Sequence, residues 1–394
     1  DYETAVAQSS SRRDFPRRAS DDIYIVYTGG TTGMPKGVMW QHQDIFFAAM
    51  GGGDADQTQG PVSTPAQLVE RIPEAPLVPL PTPPFMHAAA QWTAFTTLLG
   101  GGKIVLPAKG KFEPEAIWQM VSDEQVNMLV VVGDAMATPL ADMLNNNPGR
   151  WSTDSLLVIA SGGALFSPAT KKRLLELCPG TMILDGLGSS ETGLMGSKVS
   201  ADAAHDDAAP RFMVNEHMTV LGEDNKPLEP GSAEMGLLAR RGHIPLGYYN
   251  APEKSAATFI EVDGERWAIP GDLATVEADG TIMLLGRGSV SINTGGEKVF
   301  PEEVESNVKA HPDVLDCVVV GVDNERYGQI VVAVCETRSG NELKAEALRD
   351  FCRDKLAGYK LPRAVVCVDA IKRSPAGKAD YPWARNAAEV ALNS

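Results

Sequence analysis

Tyr27-Thr28-Gly29-Gly30-Thr31-Thr32-Gly33-Met34-Pro35-Lys36-Gly37 is a loop rich in glycine and threonine, and it directly follows a β-branched and aromatic run, Ile23 to Tyr27. The glycines let consecutive backbone N–H groups turn toward an anion, because no Cβ atom obstructs its approach. The threonines add hydroxyl donors, and Lys36 adds a mobile positive charge. A strand followed by such a loop predicts a polyphosphate-binding site.

This loop differs from the P-loop of nucleoside triphosphatases. The P-loop lysine is followed by Ser or Thr, whereas Lys36 is followed by Gly37. The alternative interpretation is a glycine-rich turn with solvated hydroxyls, and the joint presence of threonines, glycines and a lysine favours the phosphate site.

Downstream of the loop, helical and strand-like patterns alternate. Helices are predicted near 87–99, 113–121, 135–145 and 168–177, and strands at 103–106, 127–132, 156–160 and 181–185. Such alternation indicates βαβ units and an α/β fold with a largely parallel sheet. Ligands bind such sheets at the carboxyl ends of the strands, in the loops that follow them.

A second loop of this kind is Asp185-Gly186-Leu187-Gly188-Ser189-Ser190-Glu191-Thr192-Gly193, after the predicted strand that ends near Leu184. It is not a dinucleotide-binding fingerprint, because Glu191 stands where the third glycine would be. A carboxylate beside two hydroxyls suits a hard cation such as Mg²⁺ next to phosphate oxygens. Taken alone, the segment is more typical of a capped turn, and its pairing with the first loop shifts the interpretation toward the ligand site.

The pattern changes twice in the second half of the chain. Short strands separated by Gly, Pro and Asp-Gly turns from 235 to 285 predict a small antiparallel subdomain. A compositional break follows at Gly286-Arg287-Gly288-Ser289, and helices at 301–310 and 343–356 with strands near 314–322, 329–337 and 364–369 predict a smaller α+β domain. We therefore expect one domain over 1–286 and a second over 287–394, with residues 1–20 as a poorly structured lead-in.

Composition excludes several classes of protein. The chain has 394 residues with 35 Lys and Arg against 51 Asp and Glu, a net charge of −16, which disfavours a general nucleic-acid binder. The five cysteines are scattered, so neither a disulfide framework nor a zinc site is indicated, and a reducing cytoplasmic location is expected. The longest apolar runs have the length of strands, which predicts no transmembrane segment.

Ordered motifs give the chain a family resemblance. The first loop resembles the AMP-binding signature of the adenylate-forming superfamily, which comprises acyl-CoA synthetases, luciferases and the adenylation domains of peptide synthetases. Further segments are similar to that family's motifs and follow in its order: Ser161-Gly162-Gly163-Ala164-Leu165, Gly186 to Glu191, Gly247-Tyr248-Tyr249-Asn250, Trp267, Gly271-Asp272, Gly286-Arg287, Gly295-Gly296-Glu297-Lys298-Val299 and Pro375-Ala376-Gly377-Lys378.

The resemblance implies a two-step reaction. A carboxylate attacks the α-phosphate of ATP to give an acyl-adenylate and pyrophosphate, and a thiol then attacks the adenylate to give a thioester and AMP. It implies ATP and coenzyme A as substrates and Mg²⁺ as the metal, and it leaves a homodimer open. The motifs look most like those of actinobacterial ligases that break down fatty acids and sterol side chains, which points to a bulky apolar acid.

The resemblance also assigns residues around the nucleotide. Thr31, Thr32 and Lys36 would hold the β- and γ-phosphates, Ser190 the α-phosphate and Glu191 the Mg²⁺ ion. Asp272 would accept both ribose hydroxyls, and Arg287 would support the ribose and the phosphates. The remaining nucleotide contacts are expected from the loops that follow strands: Thr28, Gly29, Gly30, Gly33, Gly162, Gly163, Ala164, Asp185, Gly186, Leu187 and Gly188.

Three further positions complete the expected catalytic set. Lys378 would reach the carboxylate and the α-phosphate during adenylation, although outside the family context it is an ordinary surface lysine. His87 matches a histidine at the mouth of the acyl pocket, or else merely starts a helix. The segment Gly295-Gly296-Glu297-Lys298 would line the channel for the pantetheine arm of coenzyme A. Residues 88–99 and 132–134 would line the acyl site, or else belong to the core.

The chain also departs from the family pattern. Ser190 replaces the usual Thr, which keeps the hydroxyl, and Val290 stands where the hinge residue is often acidic or lysine, so that Gly288 is expected to supply flexibility. Only about twenty residues precede the first strand, so the first part of the large domain is expected to be missing. An acyl-AMP ligase that serves a carrier protein and an inactive nucleotide-binding homologue remain as alternatives to an acyl-CoA ligase.

Overall fold

The computed structural model describes residues 2–28, 35–54, 58–107, 112–201, 211–338, 340, 343–374 and 377–393. In these ranges the helices are α1 (Tyr2–Gln8), α2 (His42–Ala49), α3 (Pro65–Glu70), α4 (Ala88–Leu99), α5 (Pro114–Asp123), α6 (Gly133–Asn146), α7 (Pro168–Leu177), α8 (Pro252–Thr258), α9 (Pro301–Lys309), α10 (Ala345–Cys352) and α11 (Tyr381–Asn393). The strands are β1 (Ile23–Tyr27), β2 (Gly37–Gln41), β3 (Pro79–Pro81), β4 (Met128–Val131), β5 (Val158–Gly162), β6 (Met182–Ser189), β7 (Gly193–Ser200), β8 (Arg211–Val214), β9 (Met218–Leu221), β10 (Gly236–Arg240), β11 (Gly247–Tyr248), β12 (Phe259–Val262), β13 (Glu265–Ala268), β14 (Asp272–Val276), β15 (Ile282–Arg287), β16 (Ile292–Thr294), β17 (Glu297–Val299), β18 (Val314–Asn324), β19 (Gly328–Thr337) and β20 (Ala364–Val368).

These strands form three sheets. The largest has the order β12-β13-β10-β14-β15-β8-β7-β6-β5-β4-β3, with β9 paired to β10. A small sheet joins β1, β2 and β11, and a third joins β17, β16, β19 and β18 with β20 beside β19. The predicted α/β fold, with a large sheet-rich part and a smaller α+β part, is confirmed.

The parallel segment of the large sheet carries the main core. Strands β3 to β6 pair in parallel, and α5 and α6 cover them. Trp118 of α5 is fully buried, and its indole N–H donates to the carbonyl of Leu140 in α6 at 2.9 Å. Leu129 and Ile159 from the central strands pack into the same cluster. This core fixes the carboxyl ends of β4, β5 and β6, from which the predicted ligand loops emerge.

One predicted strand is absent from the described residues. Residues 103–106 are extended but unassigned, although Lys103 and Val105 donate to the carbonyls of Leu77 and Pro79 at 3.1 and 3.0 Å. The neighbouring strand β3 is Pro79-Leu80-Pro81, and proline has no N–H group with which to return those bonds. The hydrogen bonds described between these two segments therefore run in one direction, from the N–H groups of Lys103 and Val105 to the carbonyls of Leu77 and Pro79.

Other differences concern the lengths of elements. Residues 2–8 of the predicted lead-in form α1, and α10 covers only 345–352 of the helix expected over 343–356. Strand β6 continues to Ser189 instead of ending near 185, because it pairs in antiparallel register with β7. The second predicted loop is consequently the tip of a β6–β7 hairpin.

The antiparallel region over 235–285 is confirmed, and β15 joins it to the hairpin through β8 and β7. A short 3-10 turn, Gly288–Val290, then leads from β15 to β16. Beyond it, α9 and α10 cover one face of the third sheet and α11 covers the other. The boundary between residues 286 and 287 remains a prediction; below, "large domain" and "C-terminal domain" denote its two sides.

Candidate active site

A cleft lies between the two domains, at the carboxyl end of β5 and the tip of the β6–β7 hairpin. Its lining includes predicted residues from both domains: Thr28, Lys36, Gly163, Ala164, Asp185, Gly186, Leu187, Gly188, Ser190, Glu191, Asp272, Arg287, Glu297, Lys298 and Lys378. Gly162 ends β5 directly before Gly163. Gly29, Gly30, Thr31, Thr32 and Gly33 lie outside the described residues.

Glu191 is held at the tip of the hairpin by groups from other elements. The hydroxyl of Tyr248 donates to Glu191 Oε1 at 2.8 Å, and Trp40 Nε1 donates to the carbonyl oxygen of Ser190 at 2.9 Å. Burial and the Glu191 carboxylate together raise the pKa of Tyr248, so its proton stays on the phenol. The carboxylate is therefore oriented before any ligand arrives.

Asp272 and Arg287 are cross-strand partners in β14 and β15. Arg287 Nε lies 3.4 Å from Asp272 Oδ1. Burial raises the pKa of Asp272, whereas the charge of Arg287 opposes that shift. The pair offers an acceptor for hydroxyls beside a cation for phosphate oxygens, and its contacts with the ribose and the phosphates stay predictions.

Lys378 enters the cleft from the C-terminal domain. Its pKa is lowered by burial and by the charge of Arg287, and the carboxylates of Glu191 and Asp272 oppose that shift. A Cβ atom on Gly163, which has φ +80°, would lie 4.0 Å from Lys378 Cε. The lysine thus lies beside the loop after β5 and faces the residues predicted to bind the nucleotide.

His87 precedes the first residue of α4, and its Nε2 atom is buried without a hydrogen-bond partner among the described residues. Burial and the positive charge of Lys378 lower the pKa of His87. The imidazole is therefore neutral near pH 7 and keeps one nitrogen free for a ligand. This unpartnered nitrogen fits a residue at the mouth of an acyl pocket better than one that only starts a helix.

The first loop is anchored at both ends. The Thr28 N–H donates to the Lys36 carbonyl at 2.9 Å, and the Lys36 N–H donates to Thr28 Oγ1 at 3.3 Å. Asp185, by contrast, forms a buried ion pair with Lys171 Nζ at 2.7 Å. Its predicted contact with the nucleotide stays a prediction, and Lys171 is a partner that the sequence motifs did not indicate.

The predicted CoA-binding segment lies at one side of the cleft. Gly295 and Gly296 form the turn between β16 and β17 with φ values of +61° and +91°, which glycine adopts readily. The Gly295 N–H donates to the carbonyl of Tyr327 at 2.8 Å, so the turn is fixed to the end of β19. Glu297 and Lys298 reach the cleft lining.

Sequence reasoning missed several residues that support the site. Tyr248 stood in a quoted motif without an assigned function, and Asp134 was named only within the segment 132–134 expected to line the acyl site. Trp40, Lys171 and Lys309 carried no motif. Their significance comes from contacts between residues far apart in sequence, such as Trp40 with Ser190 and Tyr248 with Glu191. Of these residues, Tyr248 could have been found from the sequence, because it carries an aromatic hydroxyl inside a family motif.

Comparison with known proteins agrees with this geometry. Residues 2–249 match the family model described as AMP-binding enzyme, and residues 303–378 match that of the AMP-binding enzyme C-terminal domain. The chain therefore belongs to the AMP-binding enzyme family, as its motifs predicted.

Two relatives of known name indicate which branch of the family the chain belongs to. The chain is 49% identical to a 3-oxocholest-4-en-26-oate–CoA ligase of Rhodococcus rhodochrous over 98% of this chain and 70% of the relative. It is 46% identical to a medium/long-chain-fatty-acid–CoA/3-oxocholest-4-en-26-oate–CoA ligase of Mycolicibacterium smegmatis, over 99% and 71%. It lies in the acyl-CoA ligase branch of the family.

Solved structures share the fold at low identity. The anthranilate CoA ligase AuaEII, solved with anthranoyl-AMP, has a TM-score of 0.80 at 21% identity and covers 100% of this chain and 73% of its own. The amide bond synthetase McbA of Marinactinospora thermotolerans has a TM-score of 0.77 at 24% identity, over 97% and 72%. Among the described residues of this chain, no helix has the length and apolarity to span a membrane.

Proposed function

We propose that this enzyme joins a bulky apolar carboxylic acid, either a fatty acid or a sterol side-chain acid, to coenzyme A through an acyl-adenylate. The observation that carries the proposal is the convergence of Lys378 with Glu191, Asp272 and Arg287 in one interdomain cleft. These groups come from three separate parts of the chain. Their chemistry matches the charges of a carboxylate and a nucleotide.

In the first step, a carboxylate oxygen attacks the α-phosphorus of ATP, and the bond to the pyrophosphate oxygen breaks. Lys378 supplies a cation to the attacking carboxylate and the α-phosphate, where the two negative groups would otherwise repel each other. The buried Asp272 carboxylate accepts the ribose hydroxyls, and Arg287 supports the phosphates. Positioned charges in such a cleft suit phosphoryl transfer, which depends on orientation and electrostatic stabilisation more than on covalent catalysis.

The metal proposal rests on Glu191. Mg²⁺ is usually held by one or two carboxylates together with substrate phosphates rather than by an all-protein cage. The described residues contain no cluster of three His, Cys, Asp or Glu side chains around a metal position, and the oriented Glu191 carboxylate fits the first arrangement. When bound, the ion would neutralise charge on the phosphate oxygens.

The acid is proposed from the relatives together with the surface near His87. Phe85 and Met86 precede it and are 42% and 62% exposed. An exposed apolar pair beside a half-buried imidazole suits an acid with an apolar tail. The acids for which the relatives are named, medium- and long-chain fatty acids and 3-oxocholest-4-en-26-oate, belong to that class.

The second step requires another arrangement of the domains. The CoA thiol attacks the acyl carbonyl, and AMP leaves. We propose that the C-terminal domain rotates about the Gly288–Val290 turn, so that Gly295 to Lys298 line the pantetheine channel when Lys378 has withdrawn. We further propose a cytoplasmic enzyme, since all five cysteines are free thiols. A homodimer stays a prediction.

The test is a substrate screen with the purified chain, ATP and Mg²⁺. Pyrophosphate release should depend on the added acid, and CoA consumption should follow with saturated fatty acids or 3-oxocholest-4-en-26-oate. Lys378→Ala serves as the control variant and should abolish pyrophosphate release. Acid-dependent pyrophosphate release without CoA consumption would indicate a carrier-protein acceptor, and ATP binding without turnover would contradict an enzyme.

A further inference from the structure

A buried chain of ionic contacts crosses the domain junction behind Lys378, and it begins at Asp134 on the large-domain side. Asp134 lies in the first turn of α6, where its Oδ1 atom accepts from the backbone N–H and the hydroxyl of Ser167, both at 3.0 Å. Its Oδ2 atom is buried and has no hydrogen-bond partner in the described part of the chain. Lys309 Nζ of the C-terminal domain lies 3.5 Å from this oxygen.

The contacts continue inside the C-terminal domain. Lys309 Nζ lies 3.1 Å from Asp316 Oδ1, and Arg373 binds both oxygens of Asp316, each at 2.7 Å. The Nη1 atom of Arg373 then donates to the carbonyl of Gly377 at 3.0 Å. Gly377 directly precedes Lys378.

We propose that Asp134, Lys309, Asp316 and Arg373 form a positioning relay that docks the C-terminal domain with Lys378 in the cleft. We propose that none of the four contacts substrate: Asp134, whose segment 132–134 was expected to line the acyl site or belong to the core, instead contacts Ser167 and Lys309. They act through the turn that carries Lys378. The proposal rests on the proposed function, because the docked arrangement is the one that serves adenylate formation.

The charges of the relay explain why Lys309 couples the domains. The side chains of Lys309 and Asp134 are each only 6% exposed. Although burial lowers the pKa of Lys309, the charges of Asp316 and Asp134 raise it above its ordinary value, so the ammonium stays charged. Two cations, Lys309 and Arg373, thus face two carboxylates, and removing one member of such a buried set leaves an uncompensated charge.

The relay also allows the C-terminal domain to separate from the large domain. If the C-terminal domain rotates away, Lys309 keeps Asp316 as its partner, and Asp134 keeps the two bonds from Ser167. The contact between Asp134 and Lys309 is the one that is lost, and both groups then reach water. The relay therefore favours the docked arrangement without locking it.

A second ion pair spans the junction and provides a matched control. Arg338 lies 3.4 Å from Asp142 of α6, and their side chains are 40% and 27% exposed. Exposed pairs of this kind contribute little because water and salt screen them. Arg338→Met therefore removes an interdomain charge outside the relay.

The experiment compares Asp134→Asn, Lys309→Met, Lys309→Arg and Arg338→Met in the full chain. ATP–pyrophosphate exchange with dodecanoate measures the first half-reaction, and thioester formation from synthetic dodecanoyl-AMP and CoA measures the second. Asp134→Asn and Lys309→Met should slow the exchange at least about tenfold, as expected for a broken buried pair. The second half-reaction should stay within about twofold, Lys309→Arg should recover most of the exchange, and Arg338→Met should change neither half-reaction by more than about twofold.

A catalysis-independent measurement separates failure of the relay from failure of the proposed function. Spin labels on the exposed Cys367 and on a Lys172→Cys substitution in exposed α7 report the interdomain distance without substrate. Asp134→Asn, which preserves an acceptor for Ser167, should broaden or lengthen the distance distribution. An unchanged distribution, or equal losses in both half-reactions, would overturn the relay even if the wild-type enzyme forms acyl-CoA. A broadened distribution in a protein that makes no adenylate would support the relay and contradict only the function.

Discussion

At the scale of single residues, the cleft contains ionisable side chains whose pKa values are shifted mainly by burial. Asp272 has a raised pKa and Lys378 a lowered one, each mainly through burial. The charge of each group opposes the pKa shift that burial causes in the other. Perturbed pKa values that arise from burial and specific charge partners are typical of functional sites.

The bond from Tyr248 to Glu191 leads to the first prediction. Tyr248→Phe removes the donor at 2.8 Å but keeps the ring in place, and hydrogen bonds to charged groups are worth about 1.5–3 kcal/mol. We expect acid-dependent pyrophosphate release to fall by about ten- to hundredfold with little change in fold. Steady-state kinetics across ATP and Mg²⁺ concentrations measures the effect.

Tyr249→Phe is the matched control for this prediction. Tyr249 is the next residue in the chain, and its side chain is 52% exposed. Its hydroxyl should be dispensable. Equal behaviour of the two variants would show that the Tyr248 hydroxyl does not orient the Glu191 carboxylate.

Individual site residues could be predicted from motifs because chemistry restricts the residue types. Glu191, Asp272, Arg287 and Lys378 all line the cleft, as the motif order implied. The phosphate contacts of Thr31 and Thr32 stay predictions. The contact between Asp134 and Lys309 could not be predicted, since the two residues meet only after two distant segments have folded and docked.

At the scale of elements, local signals fixed some boundaries and neighbouring strands fixed others. The helix predicted over 168–177 is confirmed at both ends. Its start is explained by local signals, since Pro168 is its first residue and Ser167 is its N-cap. The extension of β6 through Gly186 and Gly188 was missed, since glycines favour turns in isolation and only the partner β7 keeps them extended. The strand predicted over 103–106 is likewise unassigned because of another segment: the prolines of β3 have no N–H groups to donate to it.

The β6–β7 hairpin supports the second prediction. A Cβ atom on Gly188 would lie 2.3 Å from the carbonyl oxygen of Gly193, whereas one on Gly186 would meet its nearest neighbour, the Ser161 carbonyl oxygen, at 3.4 Å. Gly188→Ala should therefore force the hairpin apart and lower the free energy of unfolding by about 1–3 kcal/mol.

Urea unfolding followed by tryptophan fluorescence measures that loss of stability, with Gly186→Ala as the control. The control should remain close to wild type. If both variants were equally stable, the close backbone approach at Gly188 would not constrain the hairpin, and the position of Glu191 would need another explanation.

At the scale of the whole molecule, an acidic protein has to accept anionic substrates. The net charge is −16, yet the cleft is lined by Lys36, Arg287, Lys298 and Lys378. The cations are contributed by both domains, so part of the positive charge arrives only when the domains dock. Docking and nucleotide binding are therefore expected to favour each other.

Glu302 makes the stability of the docked molecule depend on pH. It lies in the first turn of α9 beside Gly286, and its Oε2 atom is buried with no hydrogen-bond partner among the residues that the structure describes. Asp272, Glu305, Arg287 and Tyr381 interact with it electrostatically. Burial, with a contribution from Glu305, raises the pKa of Glu302 to about 8. A raised carboxyl pKa means that the folded state binds the proton more tightly than the unfolded state, so this contribution to stability is lost as pH rises toward about 8.

Glu302→Gln replaces this protonated carboxyl with a neutral amide and gives the third prediction. The Tm of the variant should exceed that of wild type by about 2–6 °C above pH 8 and by little near pH 5. Thermal unfolding from pH 5 to 9 tests this. A difference independent of pH would show that Glu302 does not titrate in that window.

The two half-reactions give the last prediction, which concerns how one small domain serves both. Lys378 lies in the cleft, while Gly295 and Gly296 form a turn at its side, and we propose that the two reach the reacting atoms in different arrangements of the domains. Lys378→Ala should therefore reduce ATP–pyrophosphate exchange by about a hundredfold or more and leave thioester formation from supplied acyl-AMP and CoA nearly intact. Gly288→Pro removes the N–H that donates to the Gly271 carbonyl at 3.2 Å and stiffens the turn between the domains. It should slow overall turnover more than either half-reaction measured alone, because exchange between the two arrangements becomes limiting. If Lys378→Ala lost both half-reactions equally while remaining folded, the lysine would serve both steps and rotation of the domain would not be required.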